Sequence, residues 1–84
     1  MDAYSGRVAD NYVRVKDSGV KIDTEYIKLD SFLKAVNAVG SGGEAKVSIQ
    51  EGLINVNGEV ELRRGRKLRP GDMVEVGGKR FTVE

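Results

Sequence analysis

From residue 29 the apolar positions keep helical time. Leu29, Phe32, Leu33 and Val36 fall at i, i+3, i+4 and i+7, one stripe of an amphipathic helix. Asp30 stands where an acid favours a helix N-terminus. Gly40 suits the left-handed position that closes one. Ser31, Lys34 and Asn37 fall on the opposite side. A second, shorter helix is predicted after Ser41, because Ser41 and Glu44 have capping-box spacing. It should open near Gly42 or Gly43 and end at Gly52. Ala45 and Ile49 share one of its faces, Lys46 and Gln50 another. The paired glycines are expected at the corner between the helices.

After Gly52 the rhythm changes to period two. Ile54 and Val56 alternate with Asn55 and Asn57. Asn57-Gly58 supplies the two positive-φ residues of a type I′ hairpin turn. Val60 and Leu62 are expected to return on the apolar face. Pro70-Gly71 reads as a turn. MVEV at 73–76 is a strand, Gly77-Gly78 a second tight turn, and KRFTV at 79–83 a closing strand with Phe81 and Val83 inward. VKI at 20–22 is an earlier strand. The predicted class is α+β: two short helices packed on a small antiparallel sheet of three to five strands. Residues 1–19 show no sustained period beyond a brief alternation in YVRVK at 12–16. They are expected to form a flexible N-terminal tail before a domain at 20–84.

With 84 residues the chain has room for one small domain. Cysteine and histidine are both absent, which removes thiolate metal sites and the commonest general base. The carboxylates are scattered, so no enzyme and no cofactor is expected. The N-terminus is too charged for a signal peptide and no apolar run approaches a membrane span, so a cytoplasmic location is expected. Net charge is only +1, but the average hides an asymmetry. Residues 61–84 hold seven cations against four acids, whereas the first thirty residues hold five against six.

An ordered set of short motifs then adds to the fold class. Lys28-Leu29-Asp30, Leu33, a short helix ending in Gly52, Ile54-x-Val56-Asn57-Gly58 and Pro70-Gly71-Asp72-x-Val74-x-Val76 follow at close spacing. This set, over about residues 27–77, resembles the alpha-L RNA-binding domain of the fourth small-subunit ribosomal protein. Many pseudouridine synthases, a small heat-shock ribosome-binding protein and the end of bacterial tyrosyl-tRNA synthetases carry the same module. SGGEAK and RRGRKL are similar to the short, stand-alone bacterial branch, the YaaA-like group. The resemblance implies RNA binding through the two helices and the adjacent hairpin loop. It assigns the basic residue before Leu-Asp to Lys28 and the second-helix cation to Lys46. Two departures lower the charge of the helical face. Many members have Ser-Arg where this chain has Ser41-Gly42, and a neighbouring family cation falls on Val47.

Those departures shift weight to LRRGRKLRPGD at 62–72. Arg63, Arg64, Arg66, Lys67 and Arg69 stand there with no acid among them. With Lys28, Lys34 and Lys46 they form the candidate RNA-contacting set. Arginine holds phosphate through a planar fork and lysine as a point charge. A structured RNA, ribosomal or transfer, is the expected partner, met by a monomer through phosphates, with a ribosome surface as one setting. No small-molecule substrate and no membrane is expected. No aromatic residue is interleaved with these cations, which argues against a stacking-type single-strand binder. Two plainer alternatives stand beside this reading: a solvated turn that protects a strand edge, or a docking patch for an acidic protein.

Overall fold

A computed structural model describes residues 4–8, 11–16 and 19–84. Its elements are β1 (Tyr4–Val8), β2 (Asn11–Lys16), β3 (Gly19–Ile22), β4 (Ile27–Lys28), α1 (Leu29–Ala35), α2 (Gly42–Gln50), β5 (Ile54–Val56), β6 (Glu59–Val60), β7 (Lys67–Leu68), β8 (Met73–Val76) and β9 (Lys79–Val83). The α+β class expected from the sequence is observed. Among the described residues the main sheet runs β1-β2-β3-β9-β8-β5-β6, and β4 pairs with β7 in a separate ribbon. The five strands from β3 to β6 are the expected small sheet. It is mixed rather than antiparallel, because β3 runs parallel to β9 with Val20 opposite Val83. Residues 4–8 and 11–16, which the sequence places in a tail, extend that sheet as an antiparallel pair. The YVRVK alternation lies within β2.

The apolar stripe of α1 drives the packing. Leu29, Phe32 and Leu33 are fully buried, as are Ile49 of α2 and Ile54, Val74 and Val83 near or in the sheet. Each such side chain contributes roughly 1.5–3 kcal/mol of burial. The Phe32 and Phe81 rings meet edge to face at 6.1 Å, which joins the helix layer to β9.

Helix α1 ends earlier than Gly40. Its C-cap is Val36, and Asn37 takes the left-handed position at φ 60°. The Asn37 amide donates to the Lys34 carbonyl at 3.1 Å and the Ala38 amide to the Leu33 carbonyl at 2.9 Å. That is a Schellman closure with asparagine, whose short polar side chain tolerates this backbone, in place of glycine. At α2 the cap is as expected: Ser41 Oγ accepts from the Glu44 amide at 3.1 Å. The return arm reaches the Gly40 amide instead of that of Ser41, at 3.3 Å. Gly42 and Gly43 lie inside the first turn of α2, not at a corner before it.

The hairpin corrects one expectation with consequences. Asn57 and Gly58 have φ 53° and 85°, as a type I′ turn requires. A two-residue turn pairs Val56 with Glu59 and Asn55 with Val60. Paired residues share a face, so Val60 lies on the outer side with Asn55. Val60 and Leu62 are therefore exposed, and Glu61, next to the inward Ile54, is buried instead.

Candidate functional site

The basic loop is built onto the start of α1. Helix N-termini leave backbone amides without internal partners, and Lys28 at the N-cap supplies no side-chain cap. The loop supplies acceptors instead. The Leu29 amide donates to the Arg66 carbonyl at 2.8 Å and the Asp30 amide to the Arg64 carbonyl at 3.1 Å. The β4–β7 ribbon continues the junction, with Lys28 opposite Lys67 and Ile27 opposite Leu68. Ile27 and Leu68 are fully buried, so their burial sets this register and places the two lysines side by side.

Glu61 organises one end of the loop. One carboxylate oxygen accepts from the Arg63 amide at 3.0 Å and from Arg63 Nε at 2.9 Å. The other accepts from Arg63 Nη2 at 3.1 Å and from Arg66 Nη1 at 2.7 Å. The Glu61 side chain is 8% exposed and that of Arg63 is 72% exposed. The hydrogen bonds from Arg63 and then Arg66 outweigh burial, lowering the Glu61 carboxyl from 4.5 to about 2. The same hydrogen bonding raises Arg63.

Arg64 lies between the helices. Its Nε reaches the Asp30 carboxylate at 3.3 Å. A Cβ placed on Gly42 would stand 3.6 Å from its Nη2, so the guanidinium also lies against the start of α2. The Lys34 and Lys46 side chains make no hydrogen bond or ion pair among the described residues. Each stands one helical turn beyond a residue that meets Arg64: Lys34 after Asp30, and Lys46 after Gly42.

At the far end of the loop, Tyr26 gathers two more cations. Lys67 Nζ lies 5.0 Å from its ring centroid and Arg69 Cζ 5.8 Å, within cation–π range. Tyr26 precedes the loop by some forty residues in sequence, so an aromatic partner is present in space where none is interleaved in the chain. The Arg69 amide donates to Asp72 Oδ2 at 2.8 Å across the Pro70-Gly71 turn. Asn57 serves the fold: its side chain accepts from the Met73 amide at 3.0 Å and donates to Asp72 at 3.1 Å.

Lys28 thus stands beside Lys67 in the β4–β7 ribbon, and Arg64 stands apart from the other loop cations, between the helices. Five of the loop's residues, Arg63, Gly65, Arg66, Lys67 and Arg69, line an open concavity. Glu61, Tyr26 and the pairing of Asp30 with Arg64 were not foreseen from the sequence. Counting strand parity through the Asn57-Gly58 turn would have turned Glu61 inward. No local pattern announces the other two, which depend on contacts across most of the domain. Among the described residues no group of three or more acidic or other ligating side chains is placed to hold a metal ion, and no helix is long and apolar enough to cross a membrane. The surface offers fixed positive charge and many N–H donors to an anionic ligand.

The family described as S4 domain matches residues 20–84, which include every candidate cation. A Bacillus subtilis (strain 168) protein described as "Probable ribosome maturation protein RlbA" is similar to this chain. The two are 49% identical over 59 residues, which cover 70% of this chain and 83% of that protein.

Proposed function

The chain belongs to the S4 domain family, and on that premise we propose that it is a non-catalytic, cytoplasmic module that binds structured RNA through phosphates. The observation that carries this reading is the seating of the basic loop on α1. Carbonyls of Arg64 and Arg66 take the first amides of the helix, so the loop's cations are displayed from a rigid base. An A-form duplex presents phosphates and 2′-hydroxyls rather than readable base edges, and such a surface suits it. Phosphate contacts position a protein and carry little sequence information, so modest specificity is expected. The ligand would lie over Lys28 and the loop and reach between the helices to Arg64, with Lys34 and Lys46 as outlying contacts. The name of the Bacillus subtilis relative makes ribosomal RNA the first ligand to test, and transfer RNA the second.

The test is binding to a structured RNA hairpin, read by fluorescence anisotropy at several salt concentrations. Several phosphate contacts predict a log–log salt slope of about −3 to −5, since each contributes roughly 0.7–0.9. No binding at low salt would overturn the reading.

A second reading, docking of an acidic protein, draws on exposed Val60 and Leu62, which adjoin Arg63. Nucleic acid that co-purifies and is stripped by high salt would favour RNA over this alternative.

A further inference from the structure

Glu61 is the buried charged side chain among the described residues, and its place is an unusual one. Strand parity puts it beside Ile54 on the inner face, where an apolar residue would ordinarily sit. A well-packed hydrocarbon there would stabilise at least as well as an ion pair. Stability alone therefore does not account for a carboxylate.

Its hydrogen bonds point to another role. Each oxygen accepts twice, from the Arg63 amide, both forks of Arg63, and Arg66. This fills the acceptor capacity of a carboxylate, so Glu61 has none left for a ligand. The guanidiniums do have donors to spare. Of the five N–H groups each guanidinium carries, Arg63 gives Nε and one Nη2 hydrogen to Glu61, and Arg66 gives one from Nη1. Arg63 and Arg66 also line two concavities. One is the cationic hollow with Gly65, Lys67 and Arg69. The other contains Glu61 itself. Glu61 lines the second concavity and not the first, whereas both arginines border each.

We propose that Glu61 is a positioning residue for RNA: it holds Arg63 and Arg66 with their free donors turned toward one phosphodiester in the cationic hollow. This rests on the RNA-binding reading above. Arginine side chains fixed before binding lose less freedom when a ligand arrives. The carboxylate thereby strengthens binding of an anion although it carries the same sign of charge.

That last point makes the test sharp. Glu61→Gln raises the net charge by one. If Glu61 only neutralises its neighbours, the variant binds an RNA hairpin more tightly. If it positions them, the variant binds about five-fold more weakly, with folding checked by circular dichroism at the assay temperature. Affinity equal to or above that of the unchanged chain overturns the assignment. Arg63→Lys provides a second reading that keeps every charge and covers the case in which Glu61→Gln does not fold. Lysine has no planar fork to hold Glu61, so about three-fold weaker binding is expected, and unchanged affinity overturns the assignment. If the unchanged chain fails to bind the hairpin, the RNA reading itself falls. That result is separate from a chain that binds and variants that bind equally well.

Discussion

Asp30 and Arg64 hold each other twice. The Asp30 amide donates to the Arg64 carbonyl at 3.1 Å, and Arg64 Nε returns to the Asp30 carboxylate at 3.3 Å. The residues stand 34 positions apart. Arg64 is half exposed, so the side-chain part of this link is modest. A double-mutant cycle with Asp30→Ala and Arg64→Ala, read by urea unfolding, should give a coupling of about 0.5 kcal/mol. Strict additivity of the two single changes would contradict the pairing.

Arg64 should also contribute most to RNA binding among the residues between the helices. Arg64→Ala is expected to weaken hairpin binding and lower the salt slope by about 0.7–0.9, one phosphate contact. Lys34→Ala and Lys46→Ala, a turn away and without fixed partners, should each change it less. Anisotropy titrations of the three variants at matched salt would reveal the order. An Arg64→Ala slope equal to that of the unchanged chain would remove Arg64 from the contact surface.

Acid sensitivity follows from Glu61, whose carboxyl the Arg63 hydrogen bonds lower from 4.5 to about 2. Between about pH 5 and about pH 2 Glu61 binds more proton in the unfolded chain than in the folded one, so its contribution to stability rises with pH there. The contribution of Glu61 is complete above the ordinary carboxyl value and is lost as pH falls toward about 2. Urea midpoints measured across this window should fall more steeply for the unchanged chain than for Glu61→Gln. Parallel curves would show that this carboxylate is not held by its arginines in solution.

Asn57 separates turn geometry from side-chain bonding. It combines a φ of 53° with two side-chain hydrogen bonds to Asp72 and Met73. Asn57→Gly keeps the backbone at ease and loses the bonds, a cost of about 1 kcal/mol. Asn57→Ala loses the bonds and strains the left-handed turn, a cost of about 2 kcal/mol. Thermal unfolding should rank the unchanged chain, then Gly, then Ala. Equal losses would mean that the turn conformation carries no strain for alanine.

What could be read from the chain divides along sequence distance. The stripe from Leu29 to Val36, the cap at Ser41 and the Asn57-Gly58 turn are set by residues within a few positions of one another, and all three appear. So does the surplus of charge at 63–69. The misplacements have particular causes. Gly40 was the obvious helix terminator, but Asn37 could take the left-handed backbone three residues sooner. Val60 and Leu62 are apolar and so read as inward, although a two-residue turn counts them to the outside. The parallel contact of β3 with β9 and the seat of the basic loop on α1 join segments far apart in the chain, and no short motif encodes such pairings. The eight candidate cations could be listed from the sequence and its family resemblance, but the grouping of five of them by Glu61, Asp30 and Tyr26 follows only from the fold.

The first amides of α1 have a further consequence. Leu29 and Asp30 donate to carbonyls of the basic loop, so these two protons can leave for solvent only when the loop lifts away. Their hydrogen-exchange rates therefore clock the opening of the loop without any label placed on it. A loop with this attachment moves at the pace of helix uncapping, not at that of a free surface turn. A bound ligand that slowed exchange at Leu29 and Asp30 would be felt in the backbone of a helix it need not touch.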